Sequence, residues 1–231
     1  MVGQIGDTNG LNAGWHFDGN SNDFGHFNNN GTDSTISYVQ GKFGQSALFN
    51  GTSSRIVLSD AAILKPAGNF SISAWIKTTG TAADQFIFIS KGQDGTTYNG
   101  ITFAVVSGAT GVIRLEIARN TGTVNNVDYK DLSGSVKVND GAWHWVVGVY
   151  DGAFMYVYVD GLLDNNSAWT NNAGYKATNW PRIGAWTDDG STYSGFFNGN
   201  IDELALYGRA LSSGEIKRLY NWSVGRNARI V

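Results

Sequence analysis

Two sets of oxygen-bearing residues stand where they could do chemistry. The first is Asp202 in "NIDELALYG", a carboxylate at the head of an apolar run. Period-two alternation puts it on the same side as Leu204 and Leu206, with Glu203 on the side of Ala205 and Tyr207. A buried carboxylate costs several kcal/mol unless it is hydrogen-bonded, paired or bound to a cation, and Lys and Arg are scarce nearby. The second set is "FDGNSNDFGHFNNNG", which gathers Asp18, Asn20, Asp23, Asn28 and Asn30 in a Gly-broken loop. Hard oxygen donors of this kind suit Ca²⁺, although the closing Glu and helical flanks of an EF-hand are missing. For both sets a plainer reading stays open: Asp202 caps backbone N–H groups, and the loop satisfies its own turns.

Catalytic chemistry finds little supply. Glycoside hydrolysis needs two carboxylates flanking the bond, but Glu occurs only at Glu116, Glu203 and Glu215, and no E-x-D-x-x-E strand motif is present. Asp188 and Asp189 are adjacent and read as a solvated turn. His16, His26 and His144 are scattered, with no H-E-x-x-H, and no G-x-S-x-G elbow exists. The absence of cysteine excludes thiolate nucleophiles, thiolate zinc sites and disulfides.

Binding a sugar asks for aromatic faces beside amides and carboxylates. Two stretches offer both: "KGQDGTTYNG", with Lys91, Asp94, Tyr98 and Asn99, and "WTDDGSTYSG", with Trp186, Asp188, Asp189 and Tyr193. Trp169, Trp180 and Tyr175 sit in similar Asn- and Thr-rich surroundings. Trp15, Trp75, Trp143 and Trp145 fall on strand-like runs and are expected in the core. For each loop aromatic, folding down over the edge of the protein is the competing expectation.

The elements that must position these groups are strands. The run "FSISAWIKT" puts Phe70, Ile72, Ala74 and Ile76 on one face, and "QFIFISK", "ITFAVVS", "VIRLEIARN", "AWHWVVGVYDG" and "FMYVYVDGLL" are further β-branched and aromatic runs between Gly, Asp and Asn punctuation. One helix is expected near the end, where Ser212 and Glu215 form an S-x-x-E capping box before Ile216, Leu219 and Tyr220. Gly at 31 residues and a charged fraction of 15%, against about 25% for average soluble proteins, agree with a turn-rich β protein. Many antiparallel strands with one terminal helix imply an all-β, two-sheet antiparallel jelly-roll sandwich. With Pro only at Pro66 and Pro181, nothing divides the 231 residues, so one domain over 1–231 is expected, with 1–10 as linker and 223–231 as tail. A net charge of −3 argues against nucleic acid and anionic membranes as partners. There is neither a charged leader with an apolar run nor a stretch of about 18 apolar residues, so no membrane span is expected.

The order of segments adds a resemblance. "GWHFDGNSNDFGHFNNNGT", "GKFGQSALFNGTSSRIVL", "NFSISAWIKT", "IFISKG", "DGAWHWVVGVYDG", "MYVYVDG", "RIGAW" and "FFNGNIDELALYGRALSSGEIKRLY" follow one another as in the concanavalin A-like, laminin G-like jelly-roll domains, including bacterial lectins and carbohydrate-binding modules. The resemblance covers most of the chain. It leaves "GQDGTTYNG", "RNTGTVNNVDYKDLSGS" and "WTDDGSTYSGF" as loops. It implies a non-catalytic module of a larger extracellular or cell-surface protein, binding a glycan or polysaccharide as a monomer within that chain. The alternative is an adhesion or spacer domain contacting a protein surface, with a glycoside hydrolase last. It also implies a structural Ca²⁺ between the first strand and the last, uniting Asp18, Asp23 and Asn28 with Asp202.

Overall fold

The computed structural model describes residues 8–81, 83–94, 97–106, 110–119, 129–175, 181–187 and 191–227, with the side chains of 91–98 and 226–227 left out of the description. Alternating apolar residues form β1 (Leu11–Trp15), β2 (Thr32–Ser34), β3 (Ser37–Gln40), β4 (Gln45–Asn50), β5 (Arg55–Val57), β6 (Phe70–Thr78), β7 (Gln85–Asp94), β8 (Thr97–Val105) and β9 (Val112–Ala118). They continue as β10 (Tyr129–Lys137), β11 (His144–Tyr150), β12 (Phe154–Val159), β13 (Leu162–Ala168), β14 (Arg182–Ile183), β15 (Trp186–Thr187), β16 (Tyr193–Ser194) and β17 (Asn198–Tyr207), followed by helix α1 (Ser213–Asn227).

The first sheet has the order β13-β12-β11-β6-β17-β4-β3, with β1 also paired to β17; the second has the order β10-β9-β8-β7-β14-β5-β2. Every pairing is antiparallel, as in the expected jelly roll. The inner faces meet in one core. Phe70, Ile72, Ala74 and Ile76 of β6 lie there with Phe88, Phe103, Leu115, Val146, Leu204 and Leu206, all excluded from solvent. Trp15 is fully buried in this layer, and its indole N–H donates to the Asn29 carbonyl at 3.1 Å.

A second apolar layer covers the outer face of the first sheet. Trp75, Trp145, Val147, Tyr158, Ala205 and Tyr207 pack there against Leu211, Ile216 and Leu219 of the helical segment. Tyr220 stacks between Trp75 and Trp145, with ring centroids 5.9 and 6.2 Å away. The expected capping box forms: the Ser212 N–H donates to Glu215 Oε2 at 2.8 Å, and Ser212 Oγ accepts the Glu215 N–H at 3.3 Å. The helix runs on through 223–227, where the sequence suggests a tail.

Two segments expected as loops are strands. "GQDGTTYNG" extends the β7–β8 hairpin, with Gly92 opposite Asn99 and Asp94 opposite Thr97. "YKDLSGS" belongs to β10, paired to β9. Their Gly, Asp and Ser content hides a strand whose stability comes from its neighbours rather than from intrinsic propensity.

At the β12 end of the first sheet, Asp160 (φ +52) and Gly161 (φ +78) form a tight hairpin turn of the Asp-Gly kind. Asp160 Oδ1 accepts the Trp145 N–H at 2.9 Å, and His144 Nδ1 lies 2.8 Å from Asp160 Oδ2. The Asp160 contact raises the His144 pKa; burial opposes this, and Asp140 at 3.2 Å adds to the rise. A pKa raised on folding means stabilisation that is complete below the unfolded value of about 6.5 and is lost as pH rises through the folded value. Melting temperature should therefore fall as pH is raised from about 6.5. Asp160→Asn keeps a residue that tolerates the turn, and a pH series of melting curves should show that decline flattened in this variant.

Candidate functional site

Two places on this scaffold bring together polar groups from distant parts of the chain. The first is a clasp around the tight turn Gly41–Gly44, between β3 and β4. Asp202 Oδ2 accepts the N–H groups of Lys42 and Phe43 at 2.8 and 2.9 Å, and Asp18 Oδ1 accepts the Gln45 N–H at 2.7 Å. Carboxylates from opposite ends of the sequence thus converge on one turn. Glycine is required there: a Cβ on Gly44 (φ +55) would lie 2.1 Å from Asp18 Oδ1, and one on Gly41 would lie 2.7 Å from Asp202 Oδ2.

Asp202 does not lie where strict alternation puts it. Glu203 has φ +49 and the pairing of β17 with β6 slips between Asp202 and Ala205, so a β-bulge inverts the phase of the strand. Asp202 stands opposite Trp75 on the outer face, whereas Leu204 and Leu206 point into the core. A left-handed non-glycine residue costs about 1–2 kcal/mol. Glu203 is held in place by His16, whose Nδ1 lies 2.9 and 3.0 Å from its two carboxylate oxygens, and His16 stacks on Phe24 at 3.9 Å.

Asp202 is fully buried, and its Oδ1 has no hydrogen-bond partner. Burial pushes its pKa up to about 8, with the charges of Glu203 and Asp18 adding to the rise and the two backbone N–H groups opposing it. Of the other expected calcium ligands, Asp23 is already occupied. Its Oδ1 accepts the N–H groups of Gly14 and Gly25 at 2.9 and 2.7 Å, and its Oδ2 accepts the Asn29 N–H and Nδ2 at 2.8 and 3.2 Å. Four donors make Asp23 a staple between the loop and β1. Asn28 is an exposed turn residue with φ +52. Asn29, missed in the sequence, and Asn30, one of the loop residues singled out there, complete the staple, since Asn30 Oδ1 accepts the Asp23 N–H at 2.9 Å. Among the described residues no three His, Cys, Asp or Glu side chains group as metal ligands.

The second place is the outward face of the second sheet. Register aligns Val57, Arg182, Ile89, Thr102, Glu116 and Asp131 in one row across six strands, and Phe86, Ala104, Arg114 and Ser133 in the next. Arg114 Nη2 pairs with Asp84 Oδ2 at 2.7 Å, and its Nε lies 3.8 Å from Asp131 Oδ1. Burial pulls the Arg114 pKa down, and the charges of Glu116, Asp84 and Asp131 more than offset that. The Tyr129 hydroxyl donates to Asp131, and burial, Glu116 and Asp131 together push its pKa up. Thr102 Oγ1, Arg114 Nε and Asp131 Oδ1 are buried without a hydrogen-bond partner.

The β15–β16 ribbon borders this face. Arg182 Nη1 donates to the Thr187 carbonyl at 2.9 Å, and the Phe86 N–H donates to the Gly195 carbonyl at 3.1 Å. Trp186 leans on Phe86 with centroids 6.2 Å apart, and the Arg55 guanidinium covers the Tyr193 ring at 4.1 Å. Because Trp186 pairs with Ser194 and Thr187 with Tyr193, the two aromatics lie on opposite sides of the ribbon and do not form one platform. Asp188 lies outside the described residues, as do the side chains of Lys91, Asp94 and Tyr98 and the whole of Trp180. Asn99 is fully buried in the β7–β8 hairpin. Trp169 and Tyr175 pack against the core, and the Tyr175 hydroxyl donates to the Pro66 carbonyl at 3.0 Å.

A family model described as the concanavalin A-like lectin/glucanases superfamily matches residues 50–217. Domain 4 of AbnA, an extracellular GH43 arabinanase from Geobacillus stearothermophilus, solved in complex with arabinotriose, superposes with a TM-score of 0.69 at 24% identity, covering 91% of this chain and 98% of that domain. The receptor-binding domain of botulinum neurotoxin C/D mosaic serotype superposes with a TM-score of 0.71 at 15% identity, and the binding domain of Paraclostridial Mosquitocidal Protein 1 with 0.65 at 13%. These cover 94% and 95% of this chain and 52% and 53% of the toxin chains, so the chain spans about half the length of those domains. At these identities the likeness is one of fold. The comparison with curated proteins returns no match.

The staple makes a specific demand. Asp23→Asn replaces one acceptor oxygen by an N–H₂ group facing N–H donors, which should destabilise the fold by about 1–3 kcal/mol. Denaturant unfolding measures that loss, and any response of stability to Ca²⁺ should be the same as in the parent.

Proposed function

Since the chain belongs to the concanavalin A-like lectin/glucanases superfamily, we propose that it is a non-catalytic carbohydrate-binding module whose sugar site lies on the outward face of the second sheet, beside Trp186. The observation that carries this reading is the set of buried polar atoms there without a hydrogen-bond partner, Thr102 Oγ1 and the ion-paired Arg114 Nε and Asp131 Oδ1, on a face whose border carries the half-buried Trp186 ring. Buried polar atoms normally have partners, and sugar hydroxyls can both donate and accept. The ring face supplies the apolar contact that a sugar's C–H surface needs. Solved relatives of this fold include an arabinanase domain bound to arabinotriose and a neurotoxin binding domain in complex with SialylT, which supports an oligosaccharide as ligand.

Carboxylate chemistry supports a binding role over hydrolysis. Glu203 is taken by His16, Glu215 caps the helix, and Asp202 accepts backbone N–H groups. Glu116 and Asp131 do stand directly opposite each other on β9 and β10, a pairing the sequence does not reveal. Asp131 is held there by Tyr129, and Glu116 is 3% exposed. Within this reading the module belongs to a larger extracellular or cell-surface protein and acts as a monomer within it. No described helix is long and apolar enough to cross a membrane.

The clasp fits a Ca²⁺ ion in part. Asp18 and the unpartnered Oδ1 of Asp202 would supply charged oxygen ligands, and the remaining ligands would be carbonyls or water; Asp23 and Asn28 drop out of the set. When bound, the ion would neutralise the buried charge and tie β17 to the first-strand loop. Its role is structural.

Two experiments test these readings. Titration with arabinotriose and a panel of neutral oligosaccharides should show binding by the parent, weakened by about 1–3 kcal/mol in Trp186→Ala, by analogy with other ring-stacking losses, and weakened in Thr102→Val without loss of the fold. A Trp186→Ala variant that melts early but binds like the parent would assign Trp186 to edge packing, and a parent that binds no sugar would favour the spacer reading. For the clasp, chelation should lower the melting temperature and Ca²⁺ should restore it, by about 2.7 kcal/mol at a hundredfold excess over Kd. Asp202→Asn should abolish that dependence, and indifference of the parent to chelator and calcium would leave Asp202 as a backbone cap.

A further inference from the structure

The outer face of the first sheet is unequally covered. Helix α1 lies over Trp75, Trp145 and Tyr158, while the β12–β13 margin extends beyond it. On that margin Phe154, Tyr156 and Tyr158 alternate along β12 and point outward, since Val157 and Met155 between them face the core. Their rings form a ladder, with centroids 6.1 Å apart from Phe154 to Tyr156 and 6.4 Å apart from Tyr156 to Tyr158, and tilts of 36° and 33°. Burial fades along it: Tyr158 is 6% exposed, Tyr156 is half-buried, and Phe154 is 40% exposed.

Core packing does not require this arrangement. A fold gains nothing from leaving an aromatic ring in water, and Phe154 leans on no residue that covers its outer side among the described rings. The ladder is nevertheless fixed in place. Asp151 Oδ2 accepts the Tyr156 hydroxyl at 2.9 Å, and Asp151 Oδ1 accepts the N–H groups of Ala153 and Phe154 at 2.9 and 2.7 Å. Beside Phe154 and Tyr156 the adjoining strand is low or polar, with Ala168 opposite Phe154 and Asn166 opposite Tyr156, both exposed, while the exposed Leu163 stands opposite Tyr158. Rings held by a carboxylate, beside an exposed amide and next to a small residue that leaves their flank clear, combine apolar stacking with hydrogen bonding.

We propose that Phe154 and Tyr156 form a second carbohydrate-contacting surface, a stacking platform for successive residues of an uncharged polysaccharide chain, separate from the site beside Trp186. A chain of neutral sugars is the occupant that fits this chemistry. It presents C–H faces at regular intervals for the rings and hydroxyls for Asp151 and Asn166, and it brings no charge to be left unpaired against Asp151. A protein surface large enough to bury the rings would also have to desolvate Asn166 and Asp151. The two sites lie on different sheets, so one polymer could reach both only by wrapping around the domain, and each should act alone on short ligands.

Affinity electrophoresis of the full chain through gels containing arabinan, xylan or mixed-linkage β-glucan tests the platform. The parent should be retarded by at least one polymer. Phe154→Leu with Tyr156→Leu, which keeps apolar bulk and removes the ring faces, should weaken that retardation about tenfold while leaving the melting temperature near the parent's. Tyr156→Phe, which keeps the ring, should still be retarded. Trp186→Ala should retain the platform's contribution, so failure of the Trp186 site and failure of the platform give different patterns. Retardation unchanged in the double leucine variant, or a parent that none of the three polymers retards, overturns the proposal. If the double variant melts early, Phe154→Leu alone decides, because a ring 40% exposed contributes little to the core.

Discussion

Much of the architecture depends on how β17 holds two adjacent buried carboxylates at a bulge. Asp202 is fully buried and Glu203 is 5% exposed, in the middle of an eight-stranded sheet. Each is satisfied by a different part of the chain: Asp202 by the N–H groups of the Gly41–Gly44 turn, Glu203 by His16 at the end of β1. The demand for partners therefore fixes the position of the β3–β4 turn and the path of the chain leaving β1. It also sets the phase of the strand, because without the bulge the apolar residues after Glu203 would fall on the wrong faces.

The two outer faces solve the problem of exposure differently. On the first sheet, aromatic rings and a capped helix exclude water, and the coverage stops short at β12. On the second, a row of charged and hydroxyl side chains lies across the strands, with Arg114 among Asp84, Glu116 and Asp131. A carboxylate facing another across a ladder is repulsive unless a cation stands between them. Arg114 is that cation, and its loss would leave the row unbalanced. The polarity of this face is thus a property of several strands acting together.

The parts legible in the sequence were those set by local periodicity. The alternation in "FSISAWIKT", the capping box at Ser212 and Glu215, and the burial of Trp15, Trp75 and Trp145 all follow from residues a few positions apart. What could not be read depends on register between distant segments. The bulge at Glu203 inverted the side assigned to Asp202, and nothing in "NIDELALYG" announces a left-handed glutamate. Glu116 and Asp131 become neighbours only through the β9–β10 pairing. Asp23 read as a free ligand because its four donors are mostly backbone N–H groups, which carry no sequence signature. Phe154 and Tyr156 looked like ordinary strand residues, since the extent of the helix that leaves them uncovered is not written in their own segment.

The place of β17 in the sheet has a consequence for how the protein is made. It is the last of the described strands in chain order, yet it lies between β4 and β6, and Thr78 at the end of β6 donates to the carbonyl of Asn198 across 120 positions. At common rates of translation, the ribosome needs on the order of ten seconds to supply those residues after β6 has emerged. Throughout that interval the facing edges of β4 and β6 lack their shared neighbour, and two strands with unpaired backbone groups invite pairing with other nascent chains. The sheet can close only once β17 has been made, and it closes slowly, because the contacts that close it are distant in sequence.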